Sequence, residues 1–91
     1  MATVEKTLIL VNKVGLHARP AALFVQTAAR FQASVRVVCN GRQADAKRIL
    51  PVLQLGAEQG SVLRLFAEGP DADEAINALT RLVQERFGDP E

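Results

Sequence analysis

The chain has no tryptophan and no tyrosine, and only four phenylalanines among its 91 residues. Aliphatic side chains must therefore fill most of any core. A single cysteine rules out an internal disulfide. That residue, Cys39, closes an alternating apolar run and reads as a small buried hydrophobe. There is also one histidine, so no second Cys or His exists to complete a zinc site. No metal or other cofactor is expected. An excess of charge of one sign is lacking too: formal net charge is +1. No global field then calls for nucleic acid, and no interleaved aromatics exist to stack bases. No apolar stretch approaches membrane-spanning length, and the N-terminus enters a strand-like run without a signal-peptide core. These absences argue against membrane and nucleic-acid partners and predict a cytoplasmic protein.

What is present is 48% apolar residues. That is enough for one core, and the length suits one domain, residues 1–91 with a structured part over about 4–87. Val4 to Val11 reads as a strand. Its alternation is imperfect, since Ile9 and Val11 are apolar as well as Leu8 and Leu10, which predicts a central or partly covered strand. A helix follows over about Ala18 to Phe31, with Ala21, Phe24, Val25, Ala28 and Phe31 on one face. Val35, Val37 and Cys39 alternate with Ser34, Arg36 and Val38 as a half-buried strand. Asn40-Gly41 is a hairpin signal, and a short strand over about Arg42 to Ala44 returns from it. A second, short helix ends near Leu55 with Gly56 beyond it. Either it begins late enough to hold Pro51 in its first turn, or it is distorted there. Gly60 opens a strand with Leu63, Leu65 and Ala67 on one side, and Gly69-Pro70 breaks it. Asp71 and Glu74 form an expected capping box for a last helix. That helix buries Ala75, Ile76, Leu79, Leu82 and Val83 and ends at Gly88, with Asp89-Pro90-Glu91 frayed. The order β-α-β-β-α-β-α predicts an α+β fold, an antiparallel sheet with helices on one face.

Chemistry concentrates at Gly15-Leu16-His17-Ala18-Arg19-Pro20-Ala21-Ala22. Pro20 suits the first turn of a helix, because its missing N–H would have no intrahelical partner. His17 thus sits at or just before a helix N-terminus. The unpaired N–H groups there and the positive end of the helix dipole bind anions and disfavour imidazolium. Arg19 adds a guanidinium fork suited to phosphate oxygens. A nucleophilic nitrogen beside an oxyanion site is what reversible phosphorylation on histidine requires. The same residues also fit a plainer role, with His17 as a helix cap and Arg19 as a solvated charge. Ser34 and Ser61 have no histidine near them in sequence, which leaves no serine-hydrolase triad. Asp45 reads as a local cap, and Glu68 has no carboxylate partner at acid–base spacing.

The string Gly-Leu-His-Ala-Arg-Pro-Ala-Ala closely resembles the active-site segment of the HPr family, the histidine-containing phosphocarriers of the bacterial sugar phosphotransferase system. Asn40-Gly41, Ala46-Lys47-Arg48-Ile49-Leu50, Leu55-Gly56 and Ala67-Glu68-Gly69 fall in that family's order and spacing, so the resemblance covers roughly Glu5 to Phe87. It implies an open-faced β-sandwich, a four-stranded antiparallel sheet with three helices on one face. It implies a phospho-acceptor at Nδ1 of His17, with Arg19 and the Ala18 backbone N–H holding the phosphate. It implies transient docking of enzyme I and EIIA-type proteins by a monomeric carrier that is not itself an enzyme. The docking residues would be Leu16, Ala22, Leu23, Ile49, Leu50 and Leu53, with Lys47 and Arg48 as charges. Neighbours on one helical turn point in different directions, so if one of Ile49 and Leu50 is in the core, the other is expected to be exposed.

Two departures from the family stand out. Many members carry a regulatory serine after the lysine at the start of the second helix. Here Arg48 follows Lys47, and no Ser, Thr or Tyr occurs from Arg42 through Gly60. Some members also present lysines where this chain has Gln26 and Pro51, which predicts weaker steering to an acidic partner unless Arg30 or Arg48 substitutes. Two other readings remain at this stage. One is a regulatory relative serving a nitrogen-related relay. The other is a non-catalytic binding module in which His17 is a structural cap.

Overall fold

In the computed structural model, which describes residues 3–88, alternating apolar residues build the sheet and 3.6-period ones build the helices. The elements are β1 (Thr3–Ile9), α1 (Ala18–Ala29), β2 (Ser34–Cys39), β3 (Arg42–Asp45), α2 (Ile49–Leu53), β4 (Val62–Glu68) and α3 (Ala72–Gln84), followed by a 3-10 turn over Arg86–Gly88. The expected tail Asp89-Pro90-Glu91 lies outside the described residues. The four strands form one antiparallel sheet in the order β1-β4-β2-β3. This is the α+β arrangement read from the sequence.

Register explains the core. Leu8 stands opposite Leu63, Val37 opposite Leu65 and Val35 opposite Ala67, and all six are buried on one side of the sheet. Ala21, Phe24 and Ala28 of α1 and Ala75, Ile76, Leu79 and Val83 of α3 complete the same core. Val25, Phe31 and Leu82 are only partly buried and pack at its edge. Cys39 is buried, and its burial pushes the thiol pKa up. The other sheet face is open. There the guanidinium carbons of Arg36 and Arg64 lie 4.8 and 5.2 Å from the Phe66 ring centroid, so two cations cover the one aromatic on that face.

Three local expectations are corrected. First, β1 is an edge strand, not a central one. Ile9 is 57% exposed and pairs across the open face with Val62, 48% exposed. Adjacent apolar residues alone do not reveal whether a second layer covers the outer face. Second, the last helix stops at Gln84 rather than at Gly88. Arg86 and Phe87 take left-handed φ values of 54° and 56°, which turn the chain back and bury Phe87. That conformation is costly for a non-glycine residue, and burial of the ring offsets it. Third, the capping box does not form. Asp71 stands at the α3 N-cap without a side-chain cap bond. Its carboxylate instead accepts the N–H groups of Gln32 (2.9 Å) and Ala33 (2.8 Å), tying the end of α1 to the start of α3.

The Gln32 N–H is the main group holding the Asp71 carboxyl below the usual carboxylate range; the Ala33 N–H and the Lys47 charge add to it, and burial opposes it. A carboxyl whose folded pKa is depressed stabilises the fold above its unfolded pKa, and that contribution disappears as pH falls through the folded value. Asp71→Asn is therefore expected to melt earlier than the parent at neutral pH. The difference is expected to close on acidification below the ordinary carboxylate range. Melting curves taken from neutral to strongly acidic pH check this; a gap of constant size would rule out the linkage.

The start of α2 resolves the question posed by Pro51. The helix begins at Ile49, so Pro51 is its third residue and lies in the first turn. Asp45 does act locally: its carboxylate accepts the Lys47 N–H at 2.9 Å in the turn before α2.

Candidate functional site

The loop between β1 and α1 is built around a buried amide. Asn12 is fully buried; its Nδ2 donates to the Gly15 carbonyl at 2.9 Å, and its own carbonyl accepts the Gly15 N–H at 3.3 Å. Gly15 has φ +62°, a region open to glycine at low cost. The Leu16 N–H then donates to the Ala57 carbonyl at 3.0 Å, which pins the loop to the segment after α2.

This places His17 at the N-cap of α1 with extended backbone, φ −77° and ψ −172°. Its carbonyl accepts the Ala21 N–H at 2.8 Å, the first bond of the helix. Its side chain makes no cap bond and is exposed. The imidazole is thus not a structural cap, contrary to the binding-module reading. The first turn contains no acidic residue, and Pro20 contributes no N–H. The Ala18 N–H, which has no acceptor within the helix, remains at the positive end of the dipole beside His17. Arg19 is exposed on the same turn. Such an end accommodates a phosphate.

His17 opens onto a shallow cleft of about 280 Å³ lined by Leu16, His17, Ala18, Leu53, Gly56, Ala57 and Glu58. The C-terminal end of α2 therefore abuts the histidine. Ile49 (42% exposed), Leu50 (62%) and Leu53 (37%) all face outward, and Val52 is the one α2 residue in the core. Neither Ile49 nor Leu50 is in the core: one anchoring side chain, Val52, suffices for a five-residue helix, and both of these are left on the surface. Ala22 and Leu23 on α1 are half-buried, and Leu23 packs against the core.

Two of the expected docking residues differ from the rest. Leu16 is 3% exposed and belongs to the core, so it lines the cleft beneath the histidine but presents little surface of its own. Lys47 is not beside His17. Its Nζ donates to the Phe31 carbonyl at 2.8 Å, just past the C-terminal end of α1. The twelve residues of α1 extend about 18 Å, so the ammonium lies near the opposite end from the histidine. The unpaired carbonyls of a helix C-terminus attract a cation, and that local pull decides where the long side chain goes. Arg48, exposed at the α2 N-cap, makes no side-chain cap bond.

The family described as the PTS HPr component phosphorylation site matches residues 4–85. The chain belongs to the HPr family. It is 46% identical to the phosphocarrier protein HPr of Pseudomonas aeruginosa over the whole of both chains. It is 44% identical to that of Cupriavidus necator, covering 96% of this chain and 98% of that one. The crystal structure of an HPr from Thermoanaerobacter tengcongensis superposes with a TM-score of 0.93 at 46% identity, covering 97% and 99% of the two chains. The protein is thus an HPr phosphocarrier of the phosphotransferase system.

Within this HPr fold, some site residues were missed in the sequence. The sequence marks Gly15 only as the first residue of the His17 segment and singles out nothing at Asn12, although an Asn three residues before a Gly is the available sign of a side-chain-closed turn. Ala57 and Glu58 reach the cleft through backbone proximity across tertiary structure, and no local pattern marks them. Among the described residues no group of His, Cys, Asp and Glu could hold a metal ion, and no helix is long and apolar enough to cross a membrane.

Proposed function

We propose that His17 is the phospho-acceptor: enzyme I, charged from phosphoenolpyruvate, passes a phosphoryl group to Nδ1 of its imidazole, and EIIA-type acceptors receive it for sugar uptake in the cytoplasm. The observation that carries this reading is the exposed imidazole at an α1 N-terminus whose capping positions its side chain does not use. The nitrogen–phosphorus bond forms as the donor's phosphorus bond breaks, and the reverse exchange hands the group on. Charge gathers on the equatorial oxygens during transfer, which the Ala18 N–H and the Arg19 guanidinium are suited to meet. The cleft is open, so the protein carries the group rather than catalysing a reaction alone. The exposed Ile49, Leu50 and Leu53, with Arg48 at their edge, form the docking surface for both partners, and such surfaces suit brief encounters.

The decisive experiment is incubation with phosphoenolpyruvate and an enzyme I. The expected product carries one phosphate that is acid-labile and base-stable. An acid-stable phosphate, or none, rejects the reading. Arg19→Ala is expected to remain a phosphate acceptor but to transfer about tenfold more slowly, the effect of losing one charge-assisted contact. Rapid-quench transfer rates check this; equal rates would remove Arg19 from the site.

A further inference from the structure

The α2 helix cannot hold itself in place. It has five residues, one of them proline, and a helix of that length is unstable without outside support. Its own late carbonyls are closed by the main chain, Leu50 accepting the Gln54 N–H, Val52 the Leu55 N–H and Leu53 the Gly56 N–H, but the carbonyls of the residues that follow need donors from elsewhere. The turn between β2 and β3 and the first residue of β3 supply them. Arg42 Nη1 donates to the Gln54 carbonyl at 2.8 Å. Asn40 Nδ2 donates to the Leu55 and Gly56 carbonyls, both at 3.2 Å. The next carbonyl, that of Ala57, accepts the Leu16 N–H, and Leu53, Gly56 and Ala57 line the cleft with His17. A short run of hydrogen bonds thus leads from the hairpin turn, through residues 54–57, to the residue before the histidine.

We propose that Asn40 and Arg42 are positioning residues for phosphoryl transfer at His17, acting through residues 54–57, the segment that follows α2. This rests on the phosphocarrier reading. It adds to that reading a second site of control on the far side of α2. Asn40 meets two separate requirements. Its φ of +54° is one that asparagine tolerates better than most residues, and its amide reaches the Leu55 and Gly56 carbonyls just after α2. Glycine at this position keeps the turn and removes the amide. Arg42 lies outside the core, so its head group can be removed without opening a cavity.

The test compares Asn40→Gly, Arg42→Met and Arg42→Lys with the parent in two readouts. The first is hydrogen exchange at the Leu16 amide, referenced to the Ala46 amide, which donates to the Val35 carbonyl at 2.9 Å, at the end of the β2–β3 pair farthest from Asn40. The second is kcat for phosphoryl transfer from enzyme I. In Asn40→Gly and Arg42→Met, Leu16 is expected to exchange about fivefold faster relative to Ala46, with kcat falling by about the same factor. Arg42→Lys keeps a donor and is expected to recover most of both losses. A merely structural role would lower the melting temperature and leave the Leu16/Ala46 ratio and kcat unmoved. An unchanged ratio, or an altered ratio with unchanged kcat, overturns the proposal. A parent protein that takes no phosphate defeats the phosphocarrier reading and the transfer role with it, while the exchange ratio still reports whether the turn holds the loop.

Discussion

His17→Ala is expected to abolish phosphoryl acceptance completely while leaving the fold intact. No other histidine exists to take the group. The side chain is exposed and makes no cap bond, so its removal opens no cavity and breaks no hydrogen bond of the helix start. The His17 carbonyl, which does begin α1, is retained by alanine. Surface substitutions of this kind change stability by about 0.5 kcal/mol or less, so the melting temperature is expected within about 4 °C of the parent. Phosphate incorporation from phosphoenolpyruvate and enzyme I, measured beside a melting curve on one preparation, separates the two effects. Incorporation equal to the parent would place the acceptor elsewhere.

Gly15→Ala is expected to do the reverse, damaging the fold and the site together. A Cβ at this position would lie 2.4 Å from the Ala57 carbonyl oxygen and 2.6 Å from the Glu58 Cα. Both are backbone atoms, so neither can swing aside as a side-chain tip would. The φ of +62° adds strain for any residue with a Cβ. Together these effects are expected to cost about 2–4 kcal/mol and to lower the melting temperature by at least about 8 °C. The loop can relieve the clash only by moving away from residues 57–58. That movement stretches the Leu16–Ala57 hydrogen bond and shifts His17 off the α1 N-terminus, so transfer is expected to slow as well. Gly41→Ala is the control: its Cβ would meet nothing within 4 Å, at φ +75°. It carries the backbone strain alone, about 1 kcal/mol, and is expected to leave the acceptor segment in place. If the two alanine variants melted alike, close backbone approach at Gly15 would be ruled out as the cause.

The same pair of glycines shows what a sequence can and cannot disclose. Gly41 follows Asn40 between two apolar runs, and a hairpin is legible there because the turn's dihedrals are a property of the dipeptide. Gly15 looks like any loop glycine. Its importance lies in Ala57 and Glu58, more than forty positions away, whose backbone passes where a side chain would stand. Lys47 teaches the same lesson. Its place next to Arg48 and Ile49 puts its backbone near α2, yet a flexible four-carbon stem lets its ammonium travel to the Phe31 carbonyl. Asp71 has the spacing of a capping box, but two N–H groups at the end of α1 lie within its reach and engage it instead.

From the residues alone came the element order, the sheet-with-helices class, the core face of β2, β4 and the two long helices, and the placement of His17, Arg19 and Pro20 at one helix start. All of these depend on local periodicity, on turn chemistry or on neighbours within one helical turn, and such short-range physics is written along the chain. The packed molecule alone settled which strand lies at the edge, where the last helix stops, which apolar residues of α2 face out, and what grips the acceptor loop from behind. Each of those depends on groups far apart in sequence meeting in space, where burial and hydrogen-bond geometry override the local preference of any one residue.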